Sequence, residues 1–74
     1  MNDGNRLVIC LRNDGFEASL ERRKIYEALV DEQAARLGQI RVIDESAEDY
    51  LYPMEFFQPI DLPPVARKAV LAAR

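Results

Sequence analysis

The chain has 74 residues, 49% of them hydrophobic, and a net charge of −3 from 13 acidic and 10 basic side chains. A chain this short forms one small domain with a thin core, and its hydrophobic fraction excludes wholesale disorder. The single cysteine, Cys10, excludes an intrachain disulfide, and without histidine or a second cysteine the usual ligands of structural zinc are missing.

The charge pattern disfavours nucleic acid as a partner. The basic cluster at residues 22–24 lies among glutamates, whereas a nucleic-acid binder needs a basic stripe that displaces counterions from phosphates. Residues 1–6 are polar, and the apolar run LVICL at residues 7–11 is too short for a signal sequence or a membrane span. We therefore expect a soluble, cytoplasmic protein that does not associate with membranes.

In chain order, the first predicted element is a short strand at residues 6–12. Its apolar run is rich in β-branched residues and suits a strand buried on both faces. Asp14 and Gly15 then predict a turn, since this pair supplies the backbone freedom that a turn needs. We interpret Cys10 as buried and unreactive, because a reactive thiolate needs electropositive and partly exposed surroundings.

Residues 18–37 allow two interpretations. One long helix fits their content of good helix formers and places on one face Tyr26, Val30, Ala34 and Leu37. Alternatively, a strand at residues 24–30 precedes a short helix at residues 32–37, with Asp31 as its N-cap and Gly38 as its stop. The sequence pattern alone leaves both open.

The next segments, QIRVIDE and DYLYP, alternate well enough to predict a hairpin whose second arm stops or bends at Pro53. The acids around its tip are Asp44, Glu45, Glu48 and Asp49. We interpret them as a solvated turn that blunts the sheet edge, because their spacing fits no EF-hand loop for calcium. No metal ligand and no cofactor is predicted. At the end of the chain, Pro64 and the helix formers after it predict a short helix.

Aromatic residues cluster in this region, and four of the chain's six lie at Tyr50, Tyr52, Phe56 and Phe57. Strand alternation puts the two tyrosines on one face, with Leu51 opposite. We expect Phe57 in the core and Tyr52 exposed at a boundary, where its polar hydroxyl favours it. Because exposed aromatic side chains bind protein partners well, the predicted partner-binding residues are Tyr50, Tyr52 and Phe56.

The order of these elements resembles the SH3-like barrel over about residues 6–62. The stretch YPMEFFQPI is similar to the end of an SH3 domain, where a strand reaches a proline, a 3₁₀ turn carries an aromatic and a last strand ends on an aliphatic residue; the matching residues are Pro53, Phe56, Phe57 and Ile60. ASLERRKIYEAL is similar to the segment in which a leucine closes the long first loop. RVIDESAEDYLYP also resembles small uncharacterised bacterial proteins.

The resemblance implies a mainly β chain, an SH3-like small barrel of about five strands at residues 6–62 with a C-terminal helical tail at residues 63–74. The alternative is an α+β domain with one long helix at residues 18–37. An SH3 peptide groove needs a tryptophan where Gln39 or Ile40 stands here, and the chain has none. Polyproline binding is therefore not implied.

Catalytic side chains are scarce, so no enzyme and no catalytic residue is predicted. The chain has no histidine or threonine, and neither Ser19 nor Ser46 stands in an activating motif. The leading hypothesis is a non-catalytic small protein-interaction module whose partner is another protein, with self-association into a homo-oligomer as a second expectation. The alternatives are a small barrel associated with nucleic acid and an accessory subunit of an enzyme whose active site lies on another chain.

Overall fold

A computed structural model describes residues 5–72 of the chain. The elements are, in order, β1 (Arg6–Cys10), β2 (Ile25–Leu29), α1 (Glu32–Arg36), β3 (Gln39–Ile43), β4 (Asp49–Pro53), a 3₁₀ turn (Met54–Phe56), β5 (Phe57–Ile60) and α2 (Pro64–Ala72). The prediction of a mainly β chain with about five strands and a C-terminal helix is confirmed. The first four residues of the predicted polar start and the last two of the predicted tail lie outside the described residues.

All five strands pair antiparallel in one open sheet, in the order β4-β3-β2-β1-β5. The edges are therefore β4 and β5, and β2 is the middle strand. Because this sheet is not closed, the SH3-like barrel stays a prediction. The division into a domain at residues 6–62 and a tail at residues 63–74 also stays a prediction.

The alternative of one long helix at residues 18–37 is wrong, because its centre forms β2. Tyr26 and Ala28 are buried in the core, and the strand has a neighbour on each side. Helix propensity is a weak preference that burial in a sheet overrides.

The other interpretation of residues 18–37, a strand followed by a short helix, is confirmed, and so are the residues predicted to begin and end that helix. The Asp31 carboxylate caps α1 by accepting a hydrogen bond from the Ala34 backbone N–H at 3.0 Å, and Gly38 after the helix has a φ of +73°. The predicted turn after the first strand also forms, with Gly15 at a φ of +85°. Pro53 ends β4 and leads directly into the 3₁₀ turn, as expected.

The main core lies on one face of the sheet and is closed by the long loop at residues 11–24. Its members are Val8, Cys10, Leu20, Tyr26, Ala28, Val42, Tyr52, Phe56 and Phe57. The predicted burial of Cys10 and Phe57 is confirmed. Leu20 is the loop's contribution, and its carbonyl accepts a hydrogen bond from the Asn13 side chain at 2.9 Å. The loop is therefore part of the core, although it contains neither helix nor strand.

We expect Leu20→Ala to lower the free energy of unfolding by about 2–5 kcal/mol, because it leaves a cavity that the surrounding residues fill only in part. That is a large share of the stability of so small a domain. Leu37→Ala is the matched control, since Leu37 is 76% exposed and should cost less than about 0.5 kcal/mol. Urea unfolding followed by circular dichroism measures both, and equal losses would contradict the role given to the loop.

Candidate functional site

A groove of about 330 Å³ lies where the long loop meets the hairpin of β3 and β4. We call it the Asp44 groove, and it is lined by Phe16, Ser19, Asp44, Ser46, Tyr50, Leu51 and Tyr52. The loop is attached to the hairpin beside it, since the Glu45 backbone N–H donates a hydrogen bond to the Ser19 carbonyl at 3.0 Å. The groove therefore lies between two segments that are distant in sequence.

Asp44 is a buried carboxylate at one side of this groove, only 6% exposed. One of its oxygens accepts hydrogen bonds from the Ser46 backbone N–H at 2.9 Å and from the Ser46 hydroxyl at 2.5 Å. The other oxygen accepts from the Tyr52 hydroxyl at 2.5 Å. The turn continues with a bond from the Ala47 N–H to the Asp44 carbonyl, and Ala47 takes a left-handed φ of +68°. The interpretation of Asp44 as a solvated tip residue is thus wrong, because three donors satisfy its charge inside the protein.

These contacts determine the charge state of the pair. Burial raises the pKa of the Asp44 carboxyl, but the hydrogen bonds from Ser46 and Tyr52 outweigh burial, so the pKa lies below its ordinary value. Burial first, and the bond to Asp44 second, raise the pKa of Tyr52 to about 12. Near neutral pH, Asp44 is therefore a carboxylate and Tyr52 a neutral phenol. A carboxylate with a lowered pKa is a weak proton acceptor, which is unfavourable for general base catalysis.

A second tyrosine–carboxylate pair lies next to the groove and joins the same two segments. Tyr26 donates its hydroxyl proton to Glu45 at 2.5 Å and accepts a hydrogen bond from the Glu21 backbone N–H at 2.7 Å. Lys24 forms an ion pair with Glu45 at 2.6 Å. Burial first, and then the bond to Glu45, raise the pKa of Tyr26 above its ordinary value. The Tyr26 pair therefore links the loop to the hairpin, whereas the Tyr52 pair lies within the hairpin, and both tyrosines are buried.

Three apolar side chains around the groove remain accessible. Phe16 is 38% exposed, Tyr50 50% and Leu51 41%. The Phe16 ring meets Tyr52 edge to face, with 5.0 Å between the ring centroids, so buried aromatic packing fixes its position. Tyr50 donates its hydroxyl to Glu48 at 3.1 Å. The groove thus combines accessible rings with nearby negative charge.

The three predicted site residues lie in two different environments. Tyr50 is exposed beside the groove, whereas Tyr52 and Phe56 are core residues, and the expected exposure of Tyr52 is wrong. Its hydroxyl finds a buried acceptor in Asp44, so it needs no contact with water. Partner binding by Tyr50, Tyr52 and Phe56 stays a prediction. Phe16 and Asp44 are not among the predicted site residues, although Phe16 is the only aromatic residue in the loop after β1.

Within residues 5–72 there is no group of three or more acidic or cysteine side chains arranged to hold a metal ion. No helix in that range is long and apolar enough to cross a membrane. Comparison with protein-family models, with curated proteins and with solved structures found no match to this chain. The site must therefore be judged by its own geometry.

We expect Tyr52→Phe to lower the free energy of unfolding by about 1.5–3 kcal/mol at neutral pH, because it removes a hydrogen bond to a buried charged group. The lowered pKa of Asp44 contributes stability above about pH 4, its ordinary value, and this contribution is lost as the pH falls through the folded pKa. The penalty of the variant should therefore shrink on acidification.

Tyr50→Phe is the matched control, because it removes the same group from an exposed tyrosine. Urea titrations at neutral pH and at about pH 3 measure both variants. A Tyr52→Phe penalty that does not change with pH, or that equals the Tyr50→Phe penalty, would contradict the assignment of the buried bond.

Proposed function

We propose that this chain is a non-catalytic protein-interaction module that binds its partner at the Asp44 groove. The observation that carries the proposal is the pair of accessible rings, Phe16 and Tyr50, beside a buried network of hydrogen bonds. Rigid aromatic side chains give large contact area at low cost in conformational entropy, which is why they dominate the energetics of protein interfaces.

We further propose that the architecture is an SH3-like barrel. The strand order β4-β3-β2-β1-β5 supports this, because β2, β3 and β4 form a meander while β1 pairs with β2 and with the last strand. The 3₁₀ turn between β4 and β5 and the long loop after β1 support it as well. In this proposal the groove at Phe16 and Tyr50 does not depend on the tryptophan that the chain lacks.

The charge around the groove favours a partner segment with a basic side chain. Asp44 stays ionised near neutral pH, and Glu48 lies against the Tyr50 hydroxyl. A cation placed over an aromatic ring and near these carboxylates gains from both interactions. The same charge disfavours phosphate groups. If the protein partner is an enzyme chain, this module is an accessory subunit of that enzyme. A cytoplasmic location stays a prediction.

Phe16→Ala and Tyr50→Ala should each reduce partner recovery about tenfold when the tagged full chain is used for quantitative affinity capture, since loss of an interface aromatic typically costs more than 1 kcal/mol. Recovery should also fall as salt rises, because part of the attraction is electrostatic.

Leu37→Ala and Val65→Ala serve as matched controls, because both residues are highly exposed apolar side chains away from the groove. A partner recovered equally by wild type and both groove variants would show that the groove is not the binding surface. The same variants tested by calorimetry with the purified partner separate lost binding from lost expression.

For the nucleic-acid alternative, we expect no retention of RNA or DNA in a filter-binding titration at low salt, where electrostatic attraction is strongest. Retention that weakens steeply with salt would instead favour that alternative over a protein partner. A charge-reversed variant, Glu48→Lys, is an informative control, since it should increase any phosphate-driven retention.

A further inference from the structure

The two edges of the sheet differ in what they offer to another strand. At the β5 edge, Leu11 donates its N–H to the Phe56 carbonyl at 2.7 Å. Because hydrogen-bonded pairs alternate along an antiparallel ladder, the backbone groups of Gln58 and Ile60 also face β1. The outward positions are then Phe57 and Pro59. Phe57 already donates its N–H to the Met54 carbonyl, and proline has none. The β5 edge therefore has no free donor along the strand.

The β4 edge is different. Asp44 donates its N–H to Glu48 at 3.0 Å, and Met54 donates to Gly38 at 2.9 Å, at the two ends of the β3–β4 ladder. Alternation between these ends turns the backbone groups of Tyr50 and Tyr52 toward β3 and those of Asp49, Leu51 and Pro53 away from it. Within residues 5–72, this edge thus presents two N–H donors, from Asp49 and Leu51, to solvent.

We propose that the β4 edge pairs antiparallel with the β4 edge of a second copy of this chain, about a two-fold axis at Leu51. In this register Leu51 faces the second copy's Leu51, and Asp49 faces the second copy's Pro53. Each Leu51 N–H then donates to the other Leu51 carbonyl, and each Asp49 N–H to the other Pro53 carbonyl. All the N–H donors on the edge are used, and the Asp49 carbonyl, which lies opposite a proline, receives no bond from the other strand and stays open to water.

The side chains are also compatible with this register. Leu51 is 41% exposed and would meet its counterpart on one face of the joined sheets, while Tyr50 would lie beside the second copy's Tyr52 on the other. Asp49 is the one charged residue of β4, and it faces a proline in the pair rather than another acid. Its carboxylate bonds to Arg41 at 3.0 Å on its own sheet, which neutralises it there.

The second copy is favoured over an unrelated strand because, in this register, each N–H donor of the edge has a carbonyl opposite it and Asp49 faces no second charge. The pairing also has a consequence for the groove, since Tyr50 belongs to both surfaces. Two grooves would lie on the same side of a continuous sheet made from two five-stranded halves. A partner with two binding segments could then engage both at once and gain affinity from the linkage.

The decisive experiment uses opposite charges at the two-fold axis. Wild-type chain should show a concentration-dependent dimer in sedimentation equilibrium, and Leu51→Lys and Leu51→Glu should each weaken dimerisation about tenfold or more, because like charges face each other. An equimolar mixture of the two variants should dimerise again. Leu37→Lys and Leu37→Glu, which change an exposed leucine away from the edge, should leave the dimer unchanged.

A covalent test is independent of affinity. Directly opposed residues in a hydrogen-bonded pair have Cα atoms about 5.5 Å apart, within the range that a disulfide spans. Leu51→Cys should therefore give a disulfide-linked dimer on mild oxidation, and Leu37→Cys should give much less. Cys10 is buried and free, so it does not compete.

The proposal is overturned if wild type is monomeric at every soluble concentration, if the mixture of charged variants dimerises no better than each alone, or if the Leu37 variants lose the dimer as well. Circular dichroism of each variant confirms that it is folded before these results are compared. Phe16 lies in the long loop and not on the β4 edge, so Phe16→Ala should reduce partner capture and leave the dimer unchanged, which distinguishes failure of the dimer from failure of the proposed function.

Discussion

The hydrogen bond between the Tyr52 hydroxyl and the buried Asp44 carboxylate connects the parts of the chain on which both the core and the groove depend. Asp44 directly follows β3 and begins the turn to β4, while Tyr52 projects from β4 into the core. The next residue, Glu45, attaches the long loop through Ser19 and Tyr26. A buried carboxylate is tolerated only when its charge is satisfied, so the turn, the strand and the loop are constrained together.

This constraint also explains why the surface around the groove is accessible. Tyr52 and Phe56 occupy the space beneath the loop, so Phe16 packs edge-on against them and keeps part of its ring in solvent. Tyr50 lies two residues before Tyr52 on the same strand face, but nearer the turn, where its hydroxyl reaches only Glu48. A small core that is already filled by aromatic side chains leaves others at its boundary, and these are the side chains available to a partner.

Much of the fold could be predicted because its signals are local. The turn at Gly15, the cap at Asp31, the stop at Gly38 and the end of β4 at Pro53 each follow from what one residue type does to its own backbone. The candidate site could be predicted only in part. Tyr50 stands out because aromatic residues cluster around it in the sequence. Two of the donors to Asp44 come from the nearby Ser46, but its burial depends on Tyr52 across the hairpin and on the loop that covers them, which local sequence does not show.

The sequence by itself determined the first strand, the hairpin of β3 and β4, the C-terminal helix, the turns and the scarcity of catalytic side chains, because hydrophobic alternation and single-residue conformational preferences act locally. Only the tertiary structure decided between a helix and a strand at residues 25–29, since that choice depends on the strands at both sides. It also decided which of two similar tyrosines is buried. Tyr52 has a buried acceptor in Asp44 and packs against Phe16 of the distant long loop, whereas the hydroxyl of Tyr50 reaches only the exposed Glu48.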